Sequence, residues 1–244
     1  NDASTPLEVC DDNTDGMNCF NLNLATQDIL QGLDPADFTV TYHVLEPNAQ
    51  DGTNPITNLL CFRNTTPGSQ TIWVRVENNA TGCYDVVSLE LIVNPLPTIA
   101  FPIPSYTLCD SNNAGDQIEE FDLGSQIELI VNGQTGMQVT FHLTALQAQQ
   151  GTDELPLLYV NAATAQTLHV RLENIDTGCF VTSTMDIRVE PLPAPIAPLA
   201  SDPLLNVCDT NGDGIAEFDL NALIANTQQG GDFTVAFYAT EQDA

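Results

Sequence analysis

Lysine is absent from this sequence, and arginine occurs only at Arg63, Arg75, Arg171 and Arg188, against 33 Asp and Glu residues. The formal net charge of −29 at pH 7 repels nucleic-acid phosphates and anionic lipid surfaces, so neither is an expected partner. No apolar run approaches the roughly 18–20 residues that a spanning helix needs, which removes direct membrane insertion. The N-terminus lacks the basic, apolar and small-residue order of an export signal, so any such signal is expected to have been removed or to lie outside these residues. No Cys-x-x-Cys occurs and the three histidines (His43, His142, His169) are scattered, which argues against a thiolate zinc site. No Ser–His–Asp order and no Gly-rich phosphate loop is present. Abundant carboxylates do not by themselves make an acid–base pair, so the chain is not expected to be an enzyme or to require a cofactor.

The organising feature is internal repetition. Val9-Cys10-Asp11, Leu108-Cys109-Asp110 and Val207-Cys208-Asp209 recur 99 residues apart, the size of an immunoglobulin-like domain. Phe20-Asn21-Leu22, Phe121-Asp122-Leu123 and Phe218-Asp219-Leu220 follow in the same order, and so do strand-like blocks beginning at Phe38, Met137 and Phe233. Two copies add Val74-Arg75-Val76-Glu77-Asn78 with Val170-Arg171-Leu172-Glu173-Asn174, then Thr81-Gly82-Cys83-Tyr84 with Thr177-Gly178-Cys179-Phe180. Each of these two closes on Pro-Leu-Pro, a stiff junction that cannot sit in a central strand. The boundaries expected are 1–97, 98–193 and a partial third repeat, 194–244. The reading therefore makes the chain a window cut from a longer array.

Apolar alternation predicts strands. Phe38, Val40, Tyr42 and Val44 share one face, with Thr39, Thr41 and His43 on the solvent face; Met137, Val139, Phe141 and Leu143 repeat the pattern, which places His142 like His43. Ile72, Val74 and Val76 precede Val87, Leu89, Leu91 and Val93 across Asn79-Ala80-Thr81-Gly82, a hairpin. Arg75 and Arg171 would join Arg–Glu cross-strand pairs on the outward face. A short helical turn is expected after each Phe-x-Leu. The fold class is all-β: tandem immunoglobulin-like β-sandwich repeats joined by Pro-rich linkers.

Seven cysteines in an acidic repeat chain point to an oxidising compartment and structural disulfides. The period suggests Cys10–Cys83 and Cys109–Cys179. Cys19 and Cys61, present only in the first repeat, form a private pair, and Cys208 has its partner outside the chain. Asp11, Asn13, Asp15 and Asp209, Asn211, Asp213 have the D-x-N-x-D-G spacing of calcium loops. Leu22 and Leu220 stand where a bidentate Glu would close such a loop, and an Asx-rich turn accounts for the same residues. Calcium is thus the one candidate ion.

The blocks quoted above, with Asn94-Pro95-Leu96-Pro97, resemble the tandem modules of giant surface proteins of gliding Bacteroidetes over essentially the whole chain. The resemblance implies type IX export, a C-terminal sorting domain, and a cell-surface filament or gliding-motility adhesin on the outer-membrane exterior. Its partners would be further repeats of the same polypeptide, neighbouring adhesin chains or surface glycans. A glycan-binding module array and an accessory region of a secreted hydrolase are the alternatives.

Overall fold

A computed structural model describes residues 5–99, 102–199, 201–228 and 231–243. Repeat one is built from β1 (Leu7–Cys10), β2 (Cys19–Phe20), α1 (Thr26–Leu30), β3 (Phe38–His43), α2 (Glu46–Asp51), β4 (Phe62–Arg63), β5 (Ser69–Asn78) and β6 (Tyr84–Asn94). Repeat two follows the same order: β7 (Tyr106–Cys109), β8 (Glu120–Asp122), α3 (Ile127–Val131), β9 (Met137–His142), α4 (Ala145–Gln150), β10 (Leu158–Val160), β11 (Ala165–Asn174) and β12 (Phe180–Glu190). The sheets are ordered β1-β6-β5-β3 and β7-β12-β11-β9, with small second sheets β2-β4 and β10-β8. The expected hairpin is present, with Glu77 opposite Tyr84 and Trp73 opposite Ser88 in antiparallel register.

The first strand runs parallel to the last of its repeat, Leu7 facing Leu91 and Cys10 facing Asn94. Parallel neighbours need a long crossover, and here it is nearly the whole repeat. Ile72, Val74, Leu89 and Leu91 present one face of the large sheet to Phe20, Leu22 and Ala25, which come from the small sheet and the turn after it. Phe20, Leu22, Ile72, Val74, Leu89 and Leu91 are all fully buried, and each large side chain so removed from water contributes about 1.5–3 kcal/mol. Leu22–Ala25 with α1, and Leu123–Gln126 with α3, are the expected helical turns. Asn21 and Asp122 cap them with side-chain oxygens.

The strand histidines are buried, not solvent-facing, which corrects the alternation at the ends of β3 and β9. His43 and His142 have no exposed surface. His43 Nδ1 lies 2.8 Å from the Thr53 carbonyl and donates to it, and Nε2 is hydrogen-bonded to Thr41 Oγ1 at 2.9 Å. His142 repeats this with Thr152 and Thr140 at the same distances. With both ring nitrogens partnered, each histidine ties the loop after α2 or α4 to the strand. The arginines also differ from expectation, pairing along their own strand instead of across it. Arg75 meets Glu77 at 2.6 Å and Arg171 meets Glu173 at 2.6 Å.

Repeat three has no strand among its described residues; its Asn221–Gln228 segment forms helix α5. In repeats one and two β3 and β9 are laddered to β5 and β11; Phe233, Val235 and Phe237 are in no strand of the described residues. By density of internal contacts the chain forms two compact units. One comprises Asn1–Tyr106, Glu120–Val160 and Ala165–Ile187; the other comprises Thr107–Glu119, Asn161–Thr164 and Arg188–Ala244.

Candidate functional site: the disulfide between repeats one and two

Two kinds of cysteine occupy two fixed places in repeats one and two. The first kind ends the first strand. After Cys10, the Asp11 N–H donates to the Asn94 carbonyl at 2.8 Å, and after Cys109 the Asp110 N–H donates to the Glu190 carbonyl at 2.8 Å. The second kind closes the hairpin before the last strand. Asn78 Oδ1 accepts from the N–H of Ala80 and Thr81, both at 3.0 Å, and Asn174 Oδ1 accepts from Asp176 and Thr177 at 3.0 and 3.2 Å. Gly82 and Gly178 then take φ of 72° and 69°, a left-handed conformation that favours glycine. The N–H of Cys83 and of Cys179 each donates to the threonine hydroxyl two residues earlier at 3.3 Å. The Asn-x-x-Thr-Gly-Cys signature is thus a turn that fixes where its cysteine points.

Cys10 is bonded to Cys179, with Cα atoms 5.5 Å apart across a sequence separation of 169. The strand-end cysteine of repeat one joins the hairpin cysteine of repeat two, so the periodic pairing Cys10–Cys83 and Cys109–Cys179 is overturned. The reason is strand direction. Cys10 faces Asn94 at the far end of β6, whereas Cys83 precedes its first residue. The 11 residues of β6 span ~36 Å at about 3.3 Å each, while a disulfide tolerates a Cα separation of no more than about 7 Å. The 11-residue β12 separates Cys109 from Cys179 in the same way. Cys19–Cys61 is present as expected, and Cys83, Cys109 and Cys208 are free and exposed.

The neighbouring residues brace both cysteine positions. Tyr84 and Phe180, each next to a hairpin cysteine, lie under the guanidinium of Arg75 and of Arg171, 3.4 Å from each ring centre. Arg75 Nη1 also donates to the carbonyls of Ala49 and Gln50 at 3.2 and 2.9 Å, and Arg171 Nη1 to those of Ala148 and Gln149 at 3.2 and 3.0 Å. These carbonyls end α2 and α4, where a cation is favoured. The linker is clipped as well: Gln134 accepts from the Thr98 N–H at 2.9 Å and donates to its carbonyl at 2.7 Å. Repeat two is thus tied to the preceding chain by a disulfide and by a docked linker.

The loops after the strand-end cysteines are closed by their own Asx side chains. Asp11 accepts from the N–H of Asn13, Thr14 and Gly16 at 3.1, 2.9 and 2.8 Å. Those backbone donors, Asn13 first, hold its pKa below the ordinary 3.8. Asn13 accepts from Asp15 at 3.0 Å, Asp15 from Met17 at 2.8 Å, and Arg63 reaches the other Asp15 oxygen at 2.7 Å. Asp209 accepts from Asn211, Gly212 and Gly214 at 3.0, 2.6 and 2.7 Å. The Gly214 N–H is the main cause of its lowered pKa. Asn211 and Asp213 serve Asp213 and Ile215 in turn at 3.2 and 2.8 Å. The six candidate calcium ligands therefore address backbone N–H groups, and no group of three His, Cys, Asp or Glu side chains among the described residues is placed around a common point.

Sequence reading missed the residues that hold these loops to the sandwich. Asn64 is 1% exposed; it accepts from Asn18 N–H at 2.8 Å and donates to the carbonyls of Gly16 and Thr66 at 2.9 and 2.7 Å. Asn161 does the same for Glu119, Gln117 and Ala163 at 2.7, 2.9 and 2.8 Å. Recurrence at one repeat interval was the available signal, but the flanking residues differ and hide it.

Cysteines at two repeat-invariant places, bonded from one repeat to the next, define a class of tandem sandwich protein stapled between its domains. The chain belongs to the Flavobacterium inter-domain disulphide bond domain family, whose model matches residues 6–97, 105–193 and 203–244. A search of curated proteins gives no match. Among solved structures, a three-immunoglobulin-domain fragment of titin is 14% identical, with a TM-score of 0.30, over 77% of this chain and 64% of its own length. The first three cadherin domains of Drosophila N-cadherin are 14% identical, with a TM-score of 0.24, over 78% of this chain and 66% of theirs. The chain thus spans somewhat under two thirds of the titin fragment.

Proposed function

We propose that this chain is a non-catalytic, tension-bearing stretch of an exported bacterial surface adhesin or filament, in which the cross-link between neighbouring repeats sets the length under load. The Cys10–Cys179 bond carries the reading. Tension entering through β1 reaches Cys10, passes through sulfur to Cys179, and leaves along β12 to the linker at Pro191. The 169-residue separation between the two cysteines becomes a closed loop beside that path, so unfolding inside it cannot lengthen the chain.

Several properties support export and a surface role. Disulfides persist in oxidising compartments, and the acidity keeps neighbouring modules soluble and mutually repulsive. The gliding role and the type IX route rest on the family resemblance. Further repeats are the natural partners, with neighbouring adhesin chains or surface glycans at the attached end. The test is mechanical. Cells whose protein carries Cys10→Ser should detach at lower shear than cells with an equal surface amount of the unaltered protein. Equal detachment would remove the mechanical role.

A further inference from the structure

Two Asn-Gly steps occur in the chain, Asn132-Gly133 and Asn211-Gly212, and they differ in the atoms that matter for amide chemistry. Asn132 and Gly133 are the central residues of a tight turn that leaves α3. Their φ are 50° and 76°, and the Gln134 N–H closes the turn on the Val131 carbonyl at 3.1 Å, a conformation that Asn-Gly favours. Both residues are exposed, and a Cβ placed on Gly133 would meet nothing within 4 Å. Among the described residues, neither the Asn132 carboxamide nor the Gly133 N–H has a hydrogen-bond partner. Asn211-Gly212 is held at both ends. The Gly212 N–H donates to Asp209 Oδ1 at 2.6 Å, while the Asn211 carboxamide accepts from the Asp213 N–H at 3.2 Å and donates to Asp213 Oδ2 at 2.8 Å. Repeat one keeps the turn with a longer side chain: Gln31 and Gly32 have φ of 49° and 88°, and the Leu33 N–H meets the Leu30 carbonyl at 2.9 Å.

We propose that Asn132 is a site of spontaneous covalent modification, deamidation through a succinimide, and that the reaction releases the linker clip at Thr98. The Gly133 nitrogen gives its proton to hydroxide and attacks Asn132 Cγ; the Cγ–Nδ2 bond breaks and ammonia leaves with a proton from water. Water then opens the ring at either carbonyl, leaving aspartate or isoaspartate, so one water enters for each ammonia lost and nothing is oxidised or reduced. Glycine, lacking Cβ, leaves the attacking nitrogen unhindered. The ring needs the Gly133 nitrogen and Asn132 Cβ on the same side of the Cα–C bond, whereas a ψ of 45° sets them nearly opposite. Each reaction therefore follows an opening of the turn. Gln134 restrains that opening, its Nε2 donating to the Val131 carbonyl at 2.8 Å and to the Thr98 carbonyl at 2.7 Å. The products undo the restraint. Isoaspartate carries the main chain through Cβ and adds a carbon to the turn, and either product sets a carboxylate at the C-terminal end of α3, where the helix carbonyls disfavour it. Gln134 then loses its place opposite Thr98.

Incubation of the oxidised chain at mildly alkaline pH, followed by peptide mapping with isoaspartate detection, tests the assignment. Asn132 should convert at least ~10-fold faster than Asn211, because freeing Gly212 breaks a hydrogen bond to a carboxylate. Gln134→Ala should speed conversion at Asn132 by ~5-fold, the weight of one neutral hydrogen bond, and leave Asn211 as it was. Asn132→Gln, the residue that repeat one carries in this turn, should keep the turn and stop the reaction, since its ring would need six members. The Thr98 N–H, which donates to Gln134 Oε1 at 2.9 Å, should exchange with solvent ~10-fold faster in the converted protein than in Asn132→Gln protein incubated beside it. Absence of conversion at Asn132, or conversion of Asn211 at an equal rate, would overturn the site. An unchanged rate in Gln134→Ala would overturn the restraint, and unchanged Thr98 exchange after conversion would overturn the release of the clip.

Discussion

Replacing Cys10 by serine separates the observed cross-link from the periodic pairing in a single melting experiment. The bond closes a loop of sequence separation 169, and the chain-entropy model gives such a loop ~5 kcal/mol of stabilisation. Cys10 is only half-buried, so serine there leaves little buried polar cost to confuse the reading. For a region of this size 1 kcal/mol corresponds to about 2–4 °C, so Cys10→Ser should lower the oxidised protein's Tm by ~10–20 °C. Cys83→Ser, at an exposed free thiol, should leave Tm unchanged. Calorimetry of both variants, with the Cys19–Cys61 bond present in each, provides the comparison. Equal destabilisation by Cys10→Ser and Cys83→Ser would refute the argument from strand direction.

Asn161→Ala should cost about 2–4 kcal/mol, because it leaves the buried Glu119 N–H without an acceptor and two carbonyls without a donor; urea unfolding showing less than ~1 kcal/mol would deny Asn161 its part. Arg171→Ala should cost ~2 kcal/mol through the lost helix-end hydrogen bonds and the contact with Phe180, whereas Arg188→Ala, in an exposed pair, should fall within about 0.5 kcal/mol on the same assay. Because Asp11 has its folded pKa below 3.8, its contribution is present above that pH and lost as pH falls below it. Asp11→Asn should therefore flatten the acid limb of the stability curve, and parallel curves would contradict the cause given. Millimolar calcium should leave the melting temperature unchanged if the loops are closed by their own N–H groups, and a rise would restore the cation reading of Asp11, Asn13 and Asp15.

The repeat, its strands and the hairpin turn were legible because each depends on local pattern: alternation at Ile72, Val74 and Val76, and the Asn, Thr and Gly that the Cys83 turn requires. The Cys19–Cys61 pair was legible because both cysteines appear in one repeat alone. The partner of Cys10 was not, since pairing within a repeat or between repeats has the same spacing modulo one period. Only the parallel direction of β1 against β6 decides it, and direction in a sheet is a tertiary property. The burial of His43 failed for a related reason, because alternation assigns a face but not whether α2 and the Thr53 loop cover it. Arg75 was expected to meet a Glu across the strands; it pairs instead with Glu77 of its own strand, and its other partners, the end of α2 and the ring of Tyr84, lie far away in sequence or across the hairpin.

Stretching the oxidised chain from its two ends, before and after reduction, tests most directly whether the inter-repeat bond takes the load. Reduction should lengthen the fully unfolded chain by ~590 Å, the 169-residue separation at about 3.5 Å per residue, with no lengthening from repeats one and two while the bond holds. Two separate gains of ~250 Å, from loops Cys10 to Cys83 and Cys109 to Cys179, or extension of the oxidised repeat bodies themselves, would contradict it.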